Sequence, residues 1–334
     1  MNIAISNFDK CHILVVGDMM LDEYVWGKVD RISPEAPVQI VSVQKEDHTL
    51  GGAGNVVNNL ASLGARVSAA GVIGDRGDGD RLTEKFRSLS LDTRGIIRET
   101  GRLTTRKTRI IAANQHVLRI DRETKKEISE QTLASVMAFA EEKIPQADLV
   151  LISDYGKGLV TKPLLEKLVS SAQKHGKMTI ADPKGLDFSK YAGVSLLTPN
   201  KKEATLAAGL DTVSRSTVLE AGEKLLRTTD IGRLIITCGK DGMVIFERNR
   251  SPHMIRAVAR QVFDVSGAGD TVLSVIGLAL ASGLSHEMAA AVANAAAGIV
   301  VGKVGTATIS KAELMSALAA YPEHAPKISE KGRS

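Results

Sequence analysis

Short apolar runs rich in β-branched residues alternate along most of the chain with longer segments of helical periodicity. HILVVG (12–17) is followed by the helix-like NVVNNLASLG (55–64) and by RVSAAGVIG (66–74), and DLVLIS (148–153), KMTIAD (177–182), VSLLTPN (194–200) and GRLIITCG (232–239) continue the series. Such alternation predicts an α/β fold, a doubly wound and mainly parallel sheet with helices on both faces. In that architecture a ligand site lies beyond the carboxyl ends of the strands. Two stretches break the rhythm: residues 23–43 and 95–121 are strand-like with little helical periodicity. They predict either a small projecting sheet, acting as a lid, a dimer contact or both, or two ordinary surface hairpins. One domain over 1–320 and a polar tail over 321–334, where PEHAPKISEKGRS is expected to fray, complete the layout.

Composition narrows the partners. With 43% hydrophobic and 24% charged residues, the 334-residue chain has the make-up of a globular protein with a sizeable core. Its formal charge of +5 admits an anionic ligand, but only 3% of residues are aromatic and the basic residues are scattered. A small phosphorylated ligand is therefore favoured over nucleic acid, which would want stacking platforms and a basic tract. Cys11 and Cys238 form no metal-ligand spacing or disulfide framework, which fits a reducing, cytoplasmic setting. The N-terminus lacks a basic leader with an apolar core, and MAAAVANAAAGIVV (288–301) is too short for a bilayer, so no membrane partner is expected.

The densest chemistry sits in DVSGAGDT (264–271), between the strand-like RQVFDV (260–265) and the helix-like TVLSVIGLALASG (271–283). Gly267 and Gly269 let a backbone approach a ligand without Cβ interference, and the helix that follows opens with unpaired N–H groups. That is an anion cradle. Helix capping by Asp270 is the plainer alternative, though it leaves the glycines and Asp264 unexplained. No GxxxxGK[ST] occurs in the chain, and GGAGNVV is no dinucleotide fingerprint because Val occupies the third glycine position. A kinase built on this loop would use the N–H groups of Gly267, Ala268 and Gly269 to neutralise the transferring phosphoryl group, and Asp270 to take the proton of the attacking hydroxyl.

Here the chain resembles the PfkB, or ribokinase-type, sugar kinases. DVSGAGD is similar to their second signature, with Val265 where Thr is common, and GGAGN (51–55) to their first; GDMMLDEY, SDYGKG, ADPKG and TPNKKE follow in the family's order. The resemblance implies a ribokinase-like fold and an ATP- and Mg²⁺-dependent carbohydrate kinase, with a K⁺ site left open. It implies that Asp22, with Asp18 beside it, binds sugar hydroxyls together with Gly51, Gly52 and Asn55. Asn200 and Glu203 would organise Mg²⁺ through water, although the same pair reads equally as a helix capping box. Thr237, Gly239 and Gly242 in TCGKDG would make room for ATP, or form a plain hairpin turn. Asp264 would stand on the nucleotide side, and Asn294 would meet adenine or ribose, or be a satisfied interior amide.

Within the family the likeness is strongest to kinases of D-glycero-D-manno-heptose 7-phosphate. This implies phosphorylation of the anomeric hydroxyl to a 1,7-bisphosphate, on the way to ADP-heptose and lipopolysaccharide core. The substrate's own phosphate would need cations: Arg106, Arg119, Lys157 and Lys184 are the candidates, the two lysines favoured by their place after strands. The sequence shows no HxGH-type motif, so a nucleotidyltransferase activity is expected elsewhere, and a homodimer through the lid strands is expected. The alternatives are a kinase for another sugar phosphate or nucleoside, and a non-catalytic sugar-binding regulator.

Overall fold

A computed structural model describes residues 2–113, 115–257, 262–303 and 305–319; the PEHAPKISEKGRS tail lies outside them. In chain order the elements are α1 (Asn2–Ser6), β1 (His12–Gly17), β2 (Met19–Ile32), β3 (Gln39–Gly52), α2 (Ala53–Ser62), β4 (Arg66–Gly74), α3 (Gly77–Ser88), β5 (Ile96–Glu99), β6 (Thr105–Ala112), β7 (Gln115–Arg122) and α4 (Glu130–Lys143). The second half contributes β8 (Leu149–Ser153), α5 (Lys162–Lys174), β9 (Met178–Asp182), β10 (Leu196–Leu197), α6 (Lys201–Ala207), α7 (Arg215–Thr228), β11 (Arg233–Thr237), β12 (Met243–Glu247), β13 (His253–Ile255), α8 (Ala268–Ala281), α9 (His286–Val300) and α10 (Lys311–Ala319).

Nine strands form the main sheet in the order β13-β12-β11-β10-β9-β8-β1-β4-β5. The pairings from β11 to β5 are parallel, and β12 and β13 extend the far edge antiparallel. The apolar runs are continuous because these strands are buried on both faces. Alternation divides them: Ile13, Val15, Leu149, Leu151 and Ile235 join the core beneath α2, α8 and α9, whereas Leu14, Val16, Val150, Ile152 and Ile236 join the one beneath α4, α5 and α7.

A second sheet of four strands, β3-β2-β6-β7, projects from this body. β2 pairs antiparallel with β3 and parallel with β6, and β7 closes the far side antiparallel. Its root is buried and its far end is not: Met19–Val25 are buried in β2, while every residue of β7 is exposed. Most of the two strand-like stretches thus goes into a separate small sheet.

Three expectations change. Residues 96–99, part of the second stretch, pair with β4 and belong to the main sheet. VSLLTPN contributes only Leu196–Leu197 as strand. Residues 262–265 form no strand: the Phe263 and Asp264 N–H groups both donate to the Val301 carbonyl, at 2.8 and 3.2 Å, so the backbone is anchored to the end of α9 and leaves no ladder to join. Residues 260–261 of that run lie outside the described residues.

Candidate active site

The carboxyl ends of β1, β8, β9 and β11 share one edge of the sheet, and the chemistry gathers there. Gly267, at φ +76°, is the N-cap of α8, so Ala268 and Gly269 fill its first turn and Asp270 is its third residue. Asp270 is therefore not the cap. Its carboxylate is 2% exposed and accepts the Asn55 Nδ2 proton at 2.8 Å and the Tyr155 hydroxyl at 2.7 Å. Burial raises its pKa to about 6, against the lowering pull of those two donors and of Lys107; Asp22 adds to the rise. A side chain at Gly267 would meet Asn55 Nδ2 at 2.7 Å, whereas one at Gly269 would meet nothing within 4 Å. Packing therefore demands the first glycine. The second keeps side-chain bulk away from the first turn of the helix, where the Ala268 N–H donates to the Val265 carbonyl at 3.2 Å.

Asn55 is fully buried on α2, and Asn59 one turn on donates to its carbonyl at 2.9 Å and to its Oδ1 at 3.3 Å. That relay fixes which way the Asn55 amide points, and so sends its N–H to Asp270. Gly52, at φ +55°, is the N-cap of α2, and Gly51 lies so close to Asp22 that a Cβ there would stand 2.7 Å from Oδ2. Asp22 is 3% exposed and paired with Arg109 at 2.7 Å. Burial works against the Arg109 cation, but Asp22 outweighs it and holds its pKa above the ordinary value. The guanidinium also lies 5.3 Å from the centre of the Tyr24 ring. Such a buried pair is sustained only by good geometry and tolerates poorly the loss of either member.

Asp18 has a different duty from the expected one. Its carboxylate accepts the backbone N–H groups of Tyr155, Lys157 and Leu159 at 2.8, 3.1 and 3.3 Å, so it shapes the SDYGKG loop that delivers Tyr155 to Asp270. The four expected phosphate-binding cations all have carboxylate partners: Arg106 with Asp78 at 3.0 Å, Arg119 with Asp121 at 2.8 Å, Lys157 with Glu123 at 2.6 Å, and Lys184 with Glu203 at 2.8 Å. Arg106 faces away from Asp22, because β-alternation places Lys107 and Arg109 on the Asp22 face and leaves Arg106 and Thr108 on the other with Glu23. Arg119 is exposed on the outermost strand.

Beyond the carboxyl end of β10, Asn200 caps α6 in a full capping box with Glu203, at 3.0 and 3.1 Å. The capping reading is thus realised, and the Glu203 carboxylate also faces a cleft of about 210 Å³ bounded by Asp182, Lys184, Thr198, Thr237 and Gly269. Burial, reinforced by Glu203 and Asp270, pushes the Asp182 carboxyl well above the usual range. These hard oxygen donors suit a Mg²⁺ that keeps most of its waters; among the described residues no cluster of three or more acidic, His or Cys ligands forms an all-protein cage. TCGKDG joins β11 to the antiparallel β12, so it is a hairpin turn, and a Cβ at Gly242 would stand 2.0 Å from the Ile255 carbonyl. Beside that turn lies a cavity of about 500 Å³ lined by Val218, Leu219, Val244 and Met254. Asn294 donates to the Arg256 carbonyl at 2.8 Å and braces its wall. Asp264 accepts the Ser266 and Gly305 N–H groups at 2.9 and 3.0 Å; burial opposes its charge, but these bonds prevail and hold its pKa down.

A buried carboxylate at a glycine-capped helix start, on the sheet edge that also carries the cleft of about 210 Å³ and, past Thr237, the cavity of about 500 Å³, is the arrangement of a carbohydrate kinase of ribokinase-like architecture. The chain belongs to the PfkB family: the model of the pfkB family carbohydrate kinases matches residues 10–313. It is 55% identical over 318 residues to the bifunctional protein HldE of Desulfatibacillum aliphaticivorans, covering 95% of this chain and 65% of that protein. With the bifunctional protein HldE of Geobacter sulfurreducens the identity is 46% over 305 residues, covering 91% and 62%. The chain thus spans less than two thirds of these relatives' length. Among solved structures, Arabidopsis thaliana ribokinase complexed with ribose and ATP superposes with a TM-score of 0.72 at 20% identity, covering 92% of this chain and 98% of that one. Escherichia coli phosphofructokinase-2 in complex with potassium gives 0.74 at 18%, covering 93% and 98%.

Proposed function

We propose that the chain transfers the γ-phosphoryl group of ATP to the anomeric hydroxyl of D-glycero-D-manno-heptose 7-phosphate, forming the 1,7-bisphosphate for ADP-heptose and lipopolysaccharide core synthesis. The heptose rests on the likeness to HldE proteins at 46–55% identity. The chemistry rests on one observation above all: the Asp270 carboxylate is buried and oriented by Asn55 and Tyr155 beside an open glycine turn.

Asp22, Gly51, Gly52 and Asn55 form the wall against which the sugar hydroxyls would rest, with Arg109 holding Asp22 in place. The nucleoside would occupy the cavity beside Gly239 and Gly242, with Thr237 and Asn200 along the path of its phosphates. Mg²⁺, organised by Asn200, Glu203 and Asp182, supplies charge neutralisation on those phosphates when bound. Asp270 takes the acceptor's proton while the N–H groups of Gly267, Ala268 and Gly269 meet the developing negative charge. The Asp264 carboxylate, by gathering the Ser266 and Gly305 N–H groups, sets the loop that precedes this turn.

The projecting sheet also ends in unpaired edges at β3 and β7, and Val43, Leu118 and Ile120 are exposed on it. A second copy of the chain fits this surface, giving a homodimer through the lid strands that sedimentation analysis would detect.

Incubation with MgATP and heptose 7-phosphate should release ADP and give a product with a phosphorus signal at the anomeric position. ADP release with other sugar phosphates or nucleosides and not with the heptose would replace the acceptor; sugar binding without any ADP release would replace the enzyme by a regulator.

A further inference from the structure

On the acceptor side of the site the surrounding basic groups are neutralised within the chain, with one exception. Arg109 is held by Asp22 at 2.7 Å and Lys157 by Glu123 at 2.6 Å. The Lys107 ammonium makes no ion pair or hydrogen bond with any described residue; its Nζ lies 5.2 Å from the centre of the Tyr155 ring.

Strand register fixes where that ammonium points. Lys107 stands opposite Asp22 in the β2–β6 pairing and shares its face. The ring beneath it belongs to the tyrosine whose hydroxyl donates to Asp270 at 2.7 Å. The cation is thus set between the carboxylate at the sugar wall and the carboxylate that acts as base. Burial lowers its pKa, while the charges around it pull in opposite directions: Asp22 and its cross-strand neighbour Asp121 raise it, Lys157 and Arg109 lower it. An unneutralised cation held in such a place is complementary to an incoming anion. Two anions are at issue, and the position selects one. A phosphate already carried by the acceptor lies at the other end of the molecule from the hydroxyl that Asp270 deprotonates, whereas the phosphoryl in transit lies next to it.

We propose that Lys107 is a further catalytic residue, whose ammonium binds the transferring phosphoryl group between the acceptor oxygen and the departing ADP. The assignment rests on the kinase reading of Asp270 and the glycine turn. In the step itself the acceptor oxygen bonds to the γ-phosphorus, the bond from that phosphorus to the β,γ-bridging oxygen breaks, and the acceptor's proton passes to Asp270. ADP leaves with the bridging electron pair. Lys107 gives up no proton; it shares the charge of the equatorial oxygens with the helix N–H groups opposite, so the phosphoryl is held from both sides.

The test is a binding measurement that needs no turnover. Calorimetry with ADP, Mg²⁺ and aluminium fluoride, a mimic of the phosphoryl in flight, is run on the wild-type chain and on Lys107→Met and Lys107→Gln, two neutral variants that perturb β6 differently. Both variants should bind the fluoride complex at least about tenfold more weakly, with ADP alone and sugar phosphate alone bound within about threefold of wild type. In turnover, kcat should fall by roughly 10²–10³, and Lys107→Arg should recover part of it. Unchanged affinity for the fluoride complex would overturn the proposal, as would a loss confined to the sugar phosphate, which would assign Lys107 to the acceptor's own phosphate. Failure of the underlying reading shows elsewhere, as wild-type turnover by an Asp270 variant, and leaves these affinities intact.

Discussion

On the proposed reading Asp270 takes a proton only when ionised, and its surroundings oppose that: burial lifts its pKa to about 6, while Tyr155 and Asn55 donate to the anion and pull it back. The rate should therefore be half-maximal near pH 6, close to full a unit above it, and fall toward tenfold per unit below it, as protons fill the carboxylate. Asp270→Asn should cut kcat by about 10³ or more with ADP affinity within about threefold, measured by steady-state kinetics and calorimetry. Tyr155→Phe removes a donor that favours the anion, so its acidic limb should move to higher pH, and a limb that stays or moves down would refute that role for the hydroxyl. Asp270 could be picked out in the sequence as the candidate base because an aspartate beside two glycines at a helix start is a local pattern. Lys107, Arg109 and Tyr155 could not. TRKTRIIA offers cations at successive positions, and which of them face the site depends on the pairing of β6 with β2, a long-range fact; Arg106, chosen from the sequence, falls on the other face with Asp78 and Glu23.

At the scale of elements, α8 shows two glycines of the same loop kept for different reasons. Gly267 carries φ +76° and a Cβ there would press on Asn55 Nδ2 at 2.7 Å, so Gly267→Ala should lower stability by roughly 1–2 kcal/mol and displace the amide that orients the base. Gly269 lies inside the first turn of the helix with no protein atom within 4 Å of a Cβ. Alanine there removes backbone freedom from the unfolded chain and favours the helix, so Gly269→Ala should leave the melting temperature unchanged or raised. Its turnover should nevertheless fall at least about tenfold, because the methyl would project into space that the phosphoryl group needs. Thermal melts and kinetics on the two variants separate packing from ligand approach, and a Gly269→Ala chain with wild-type kcat would remove the phosphate from this turn. The main strands and helices were readable because the central apolar runs are buried on both faces and helices such as α2, α5 and α7 carry one apolar side, while α8 is buried all round from Asp270 to Ala279. The 262–265 run misled for the same reason: alternating Val262, Phe263 and Val265 imitate a strand, yet all three are exposed and the backbone bonds to Val301.

Across the whole molecule, the proposed sugar wall is built mainly on the root of the projecting sheet and the proposed phosphate turn on the main domain, and one set of contacts between them runs through Thr306. The Tyr24 hydroxyl on β2 accepts the Thr306 N–H at 3.1 Å, and Thr49 on β3 meets the Thr306 hydroxyl at 2.9 Å. The neighbouring Gly305 N–H donates to Asp264 at 3.0 Å, and Asp264 also holds Ser266, next to Gly267. A continuous set of hydrogen bonds thus runs from the strands beside Asp22 to the turn that receives the phosphate. If sugar binding sets the position of β2, this set passes the change on, so each substrate should tighten the other by the same factor. Tyr24→Phe keeps the ring under the Arg109 guanidinium and removes the hydroxyl's two contacts with Thr306, the N–H it accepts at 3.1 Å and the Oγ1 at 3.5 Å. Calorimetry of ADP with and without sugar phosphate should show mutual tightening of about fivefold or more in the wild-type chain, reduced toward unity in Tyr24→Phe, while the affinity for sugar phosphate alone stays near wild type. Equal synergy in the two proteins would mean that the projecting sheet and the phosphate turn respond to their ligands independently.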